Sequence, residues 1–128
     1  MRKIFIAGLI LGVLSTAMVA FAQDPIKVGP NNYKLVHEND RVRVMEVRFK
    51  PGESIGMHSH PDHYVIVTSG GSLQISRPDG TKTDIVAKPG DVLWINAETH
   101  AAKNTGTTEI VGYVNELKEP KPVKEAKK

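Results

Sequence analysis

From Tyr33 to Leu117 the chain is cut into short pieces by turn signals: Glu38-Asn39-Asp40, Pro51-Gly52, Gly70-Gly71, Pro78-Asp79-Gly80, Pro89-Gly90 and Thr105-Gly106. Glycine supplies positive φ and proline presets it, so each pair fixes a reversal. The intervening runs are rich in Val, Ile and Thr and show no helical period, which predicts strands. These strands cover Tyr33 to His37, Arg41 to Phe49, Tyr64 to Thr68, Leu73 to Arg77, Thr81 to Ala87, Val92 to Ile95, Ala101 to Asn104 and Glu109 to Leu117. Within Arg41 to Phe49, Val42 and Val44 take one face while Met45, Val47 and Phe49 take the other. That change of parity predicts a bulge near Met45. Short antiparallel strands with this punctuation indicate an all-β sandwich or barrel rather than βαβ units. The two Pro-Gly turns at 51–52 and 89–90 echo each other, as in a roll of two similar halves.

Four of the five histidines follow those two turns. The first cluster reads Pro51-Gly52-x5-His58-x-His60-x2-His63-x6-Gly70. The second reads Pro89-Gly90-Asp91-x2-Trp94-x5-His100-x3-Asn104. Residues i and i+2 of a strand share a face, so His58 and His60 can approach one ion. Imidazole is the commonest side-chain ligand for transition metals. The fifth histidine, His37, lies in the first strand without such company.

The chain's 128 residues suffice for one domain with one core. Residues 1–22 are set apart as a signal peptide: Arg2-Lys3 is a positive n-region, Ile4 to Leu14 an apolar run, and Ala20-Phe21-Ala22 a cleavage site before Gln23. An uncleaved anchor is the alternative, since Ile4 to Ala22 is just long enough to span. Cleavage predicts a periplasmic or secreted protein with no stable membrane anchor. Residues 23–32 form an N-terminal extension, 33–117 the β domain and 118–128 a basic, disordered tail. There is no cysteine, which removes disulfides and thiolate ligands. The formal charge is +3 overall, but without the leader and the tail's five Lys and two Glu, residues 23–117 carry −2. A slightly acidic globule is not a nucleic-acid reader.

With both histidine clusters in view, the chain resembles the cupin superfamily. That family's first motif is usually written G-x5-H-x-H-x3,4-E-x6-G and its second G-x5-P-x-G-x2-H-x3-N. Gly52, His58, His60 and Gly70 match the first, and His100 with Asn104 the second. The likeness spans residues 33–117. His63 stands where the family usually has glutamate, one residue closer to His60 than usual, and Ile95-Asn96-Ala97 replaces Pro-x-Gly. The resemblance implies a double-stranded β-helix, the jelly roll or cupin barrel, with one divalent metal in its mouth. His58, His60 and His100 would be its ligands and His63 a fourth.

Three or four imidazoles suit Fe, Mn, Cu, Ni or Zn, so the metal's identity is left open. An imidazole in place of a carboxylate leaves the ion its full charge, making it the stronger Lewis acid. Asp62 and Glu98 lie close to ligands in sequence and are candidates to hold an imidazole N–H, or ordinary surface carboxylates. Trp94 is a candidate wall of the cavity, or a core or rim aromatic. Asn104 suits a turn better than a substrate contact. Tyr64 should point away if His63 points in.

Two functions compete. One is a metal-dependent, dioxygenase-like enzyme on a small organic substrate, with its catalytic residues unassigned. The other is a module that binds metal or a small ligand without turnover. A roll with a vacated site is disfavoured by the number of histidines. Small molecules and, by family habit, a second copy of the chain are the expected partners.

Overall fold

A computed structural model describes residues 23–119. Nine strands follow one helical turn: α1 (Pro25–Val28), β1 (Tyr33–Glu38), β2 (Val42–Phe49), β3 (Ser54–His60), β4 (His63–Ser69), β5 (Gly71–Ser76), β6 (Lys82–Ala87), β7 (Val92–Ile95), β8 (Glu98–Asn104) and β9 (Ile110–Leu117). They form two facing antiparallel sheets, ordered β1-β2-β9-β4-β7 and β3-β8-β5-β6. This is the architecture of a double-stranded β-helix. The expected signal peptide and residues 120–128 of the expected tail lie outside the described residues.

The period-two pattern makes the core. Along β2, Met45, Val47 and Phe49 are buried, while Glu46 and Arg48 face outward and pair at 2.6 Å. Met45, Val47 and Phe49 pack with Ile55, Ile75, Ala102, Ile110 and Val114 from both sheets. The extension before the domain is not loose: Asp24 caps α1 by accepting from the Ile26 N–H at 2.8 Å. Ile26 and Val28 then pack against the core.

The Pro-Gly echo has a structural counterpart. Gly52 and Gly90 have φ of 81° and 89°, the second central position of a type II turn after proline. In each, the residue before proline accepts from the N–H three residues on, Glu53 to Lys50 and Asp91 to Lys88, both at 3.0 Å. The same acidic residue's side chain accepts the reverse bond, from the Lys50 and Lys88 N–H groups. Gly70 is needed for a different reason: a Cβ there would run into the Ala87 carbonyl.

One expectation changes. The bulge is not in β2, which pairs with β9 in unbroken register from Val42 to Phe49. It lies across from Met45, in β1, where the register skips Val36 between Leu35 and His37. No parity change is needed within β2: Arg43 shares the inward face with Met45, Val47 and Phe49. β9 ends at Leu117, and the next residue is held against the domain. Lys118 donates its backbone N–H to the Arg41 carbonyl and pairs with Glu38 at 2.8 Å.

Candidate metal centre

β3 and β8 are neighbours, and their register places His58 directly across from His100, Ser59 across from Thr99 and His60 across from Glu98. The pairing slips between Ile55 and His58, where β3 has one residue more than β8. That bulge at Gly56-Met57 reverses parity, so Ile55 reaches the core while His58 and His60 still point inward. His63 opens β4 and also faces in. Tyr64 is left outside the cavity. All four histidines are buried, at 0–5% exposure.

Their rings form one cluster. Centroids lie 4.8 Å apart for His58–His60 and His58–His100, 5.2 Å for His60–His100 and 4.4 Å for His60–His63. His58, His60 and His100 each offer a nitrogen within 4.8 Å of the others. His63 is further from His100, at 6.3 Å between centroids.

In every ring Nδ1 has a partner that can only accept. His58 Nδ1 meets the Gly56 carbonyl at 2.7 Å, and His63 Nδ1 the Pro61 carbonyl at 2.8 Å. His60 Nδ1 meets Glu116 Oε2 at 2.6 Å, and His100 Nδ1 meets Glu98 Oε1 at 2.9 Å. A carbonyl or carboxylate there requires the proton on Nδ1, which leaves the lone pair on Nε2. Four Nε2 lone pairs therefore belong to one buried cluster. Burial, reinforced by neighbouring imidazoles, depresses the pKa of His58 and His63 to about 4. Burial also lowers that of His100, against the pull of Glu98. The rings of His58, His63 and His100 are therefore neutral near pH 7, as ligation requires.

Each carboxylate is itself held by an arginine. Arg43 Nε donates to Glu116 Oε1 at 2.8 Å and its Nη1 reaches Asp24. Arg77 Nε donates to Glu98 Oε2 at 2.9 Å and its Nη1 to Thr83. Burial opposes ionisation of Glu116, but the bonds from His60 and Arg43 hold its pKa below the usual carboxylate range. Glu98 behaves in the same way through His100 and Arg77. Two Arg–Glu–His relays thus reach the cluster, one through each sheet.

The donor set fits a transition metal. Buried neutral imidazoles, oriented from behind by carboxylates and carbonyls, are the arrangement such ions select. Among the described residues, the sole other polar side chain at the cavity is Tyr33, whose hydroxyl lies 3.3 Å from His58 Nε2. Since His58 carries its proton on Nδ1, the hydroxyl is the donor. Burial, with the nearby Glu116 charge adding to it, pushes the Tyr33 pKa well above its ordinary value, so it stays protonated.

The other candidates are dispersed. Glu98 does hold an imidazole N–H. Asp62 does not: it accepts from the Ala97 N–H at 2.8 Å, in a surface depression beside Leu117 and Lys118. Trp94 is no cavity wall. It sits on the outer face across from Tyr64, 56% exposed, and donates to Asn96. Inward and outward residues alternate, and β7 presents Leu93 and Ile95 to the cavity instead. Asn104 is fully buried but away from the histidines; its amide donates to the Phe49 and Thr108 carbonyls and its oxygen accepts from the Gly106 N–H, tying down the turn. His37 is exposed on β1. Glu116, Arg43 and Tyr33 escaped sequence reading. The one available signal for Glu116 was its position as a charged residue among the inward apolar residues of a core strand.

A family model described as a cupin domain matches residues 45–114. The chain belongs to the cupin family. Among solved structures, a cupin domain from Bordetella pertussis Tohama I is 29% identical, with a TM-score of 0.62 over 68% of this chain and 92% of that one. A cupin superfamily protein from Desulfitobacterium hafniense DCB-2 is 26% identical, with a TM-score of 0.53 over 68% and 76%. A protein described as an RmlC-like cupin with a double-stranded β-helix fold, from Methanocaldococcus jannaschii, shares the fold at 12% identity. Its TM-score is 0.56 over 67% of this chain and 78% of that one. No protein of curated function matches significantly.

Proposed function

We propose that this cupin is exported and binds one divalent transition metal through Nε2 of His58, His60 and His100, with His63 as a fourth ligand. We further propose that it is a metal-dependent, dioxygenase-like enzyme on a small organic substrate. The uniform engagement of Nδ1 supports the metal reading: an unrelated cluster of buried histidines has no reason to leave every Nε2 unprotonated. The Arg2-Lys3 start, the apolar run and Ala20-Phe21-Ala22 support export.

A bound divalent ion would supply a Lewis-acidic centre, redox-active in the case of Fe, Cu or Mn. The chain's own part is to hold the rings in one tautomer and to exclude water with aliphatic walls. Tyr33 presents a neutral O–H donor beside the cluster. Glu98 and Glu116 make their imidazoles more electron-rich and place negative charge behind a cation.

One observation favours binding without turnover. Among the described residues, Tyr33 is the only cavity side chain apart from the histidines that exchanges protons, and it is held protonated. Elemental analysis of the natively expressed protein should give about one metal per chain. His58→Ala with His60→Ala should lose it, and unchanged stoichiometry contradicts the site. Dioxygen uptake with a panel of small oxygenated compounds, short 2-oxo acids and diketones included, then separates the two readings: uptake with any redox metal supports the enzyme, and none supports the binding module.

A further inference from the structure

The histidine cluster opens on a cavity between the sheets that offers about 60 Å³. Among the described residues, His60, His63, His100 and Tyr33 are its only polar lining residues. Every other lining residue is apolar, including Phe49, Leu73, Ile75, Ile85 and Val114. No Lys, Arg, Asp, Glu, Ser, Thr, Asn or Gln among the described residues reaches it. The nearest carboxylates, Glu98 and Glu116, lie behind the imidazoles, occupied by histidine and arginine.

Polar recognition is therefore confined to one end. A ligand's head group finds the histidine cluster and the Tyr33 O–H, and everything beyond it meets hydrocarbon. A second hydroxyl or charge at the far end would be buried without a partner, at a cost of roughly tenfold or more in affinity. Size is limited as sharply. An enclosed apolar cavity of ~150 Å³ holds benzene, so about 60 Å³ favours a short body over a ring between the sheets.

Resting on the metal reading above, we propose that the ligand class is a small molecule with one oxygen head group and a short, unsubstituted aliphatic body. Sugars, polyols, amino acids and diacids are rejected by the wall, and flavonols by the volume. An ion on His58 Nε2 would occupy the lone pair to which Tyr33 donates. The Tyr33 O–H then becomes available to the ligand's head-group oxygen.

The full-length protein loaded with Co(II), titrated with carboxylates and followed by its visible spectrum, tests this. Butyrate should bind at least tenfold more tightly than succinate or 4-hydroxybutyrate, which share its chain length and carry their second polar group at the far end. Hexanoate should bind weakly to the parent and gain about tenfold in Leu73→Ala, whose half-buried side chain leaves extra room when truncated. Tyr33→Phe should weaken acetate and butyrate by the same few-fold factor, since it touches only the head group. Equal affinity for butyrate and succinate, or a Leu73→Ala variant that folds but does not change chain-length preference, overturns the proposal while leaving the metal site intact. Failure to take up Co(II) overturns the metal reading itself, and this one with it.

Discussion

The four histidines divide into two pairs by what stands behind them. His58 and His63 donate Nδ1–H to a carbonyl two residues earlier, Gly56 and Pro61. His60 and His100 donate to carboxylates, Glu116 and Glu98, each fixed by an arginine. The first kind of partner is local and travels with the backbone, so no side-chain replacement removes it. The second comes from other positions in the fold, adds negative charge, and is open to substitution. Tautomer is set in both pairs, but charge is delivered only through the second.

The largest effect should follow from removing a ring of the compact trio. His60→Ala or His100→Ala should drop metal content from about one per chain to a small fraction, measured by elemental analysis. His63→Ala, at the edge of the cluster, should retain the ion with roughly tenfold weaker affinity. Equal losses at all positions would erase the distinction between trio and fourth ligand.

Breaking the relays comes next. Glu116→Gln should weaken Zn(II) binding by roughly 10–100-fold in competitive titration and cost about 2–3 kcal/mol of stability, because Arg43 loses a buried partner. Glu98→Gln should fall at the lower end of that range, since Glu98 and Arg77 are partly exposed. Similar behaviour in the two would mean that burial of the relay does not matter.

Acid sharpens the pairing differently. Burial holds His58 and His63 at about 4, against 6.5 in the unfolded chain. The unfolded state then takes up protons that the folded state refuses. Stability of the chelator-treated protein should be full above pH 6.5 and fall as pH drops towards 4, by a few kcal/mol. Glu98 and Glu116, also held low, act with the same sign further down. Chemical denaturation at stepped pH reads this directly. The smallest effect belongs to Asp24→Asn: the outer link of one relay is partly exposed, so below ~1 kcal/mol and little change in metal affinity are expected.

Turn chemistry and period-two burial made most of the fold legible from sequence. The Pro-Gly turns and the Pro78-Asp79-Gly80 hairpin stand where the residues indicated, with Gly80 at φ 86°. Bulges were not legible. The one at Gly56-Met57 decides which way His58 points, yet it depends on the pairing of β3 with β8 across the molecule. Glu116 was hidden for a similar reason. It is far from every histidine in sequence, and its role exists only because β9 lies between β2 and β4. Which of its two candidate roles Trp94 takes was not legible either, because proximity to a motif in sequence says nothing about which face of β7 it occupies.

Long-range ¹⁵N–¹H correlation of the imidazoles in the metal-free protein near neutral pH would be the most direct test. Protons on Nδ1 and bare Nε2 atoms in His58, His60, His63 and His100 are the predicted result, with the Nε2 resonances of the compact trio shifting together on one equivalent of Zn(II). Protonated Nε2 atoms, or Nε2 resonances indifferent to the metal, would contradict it.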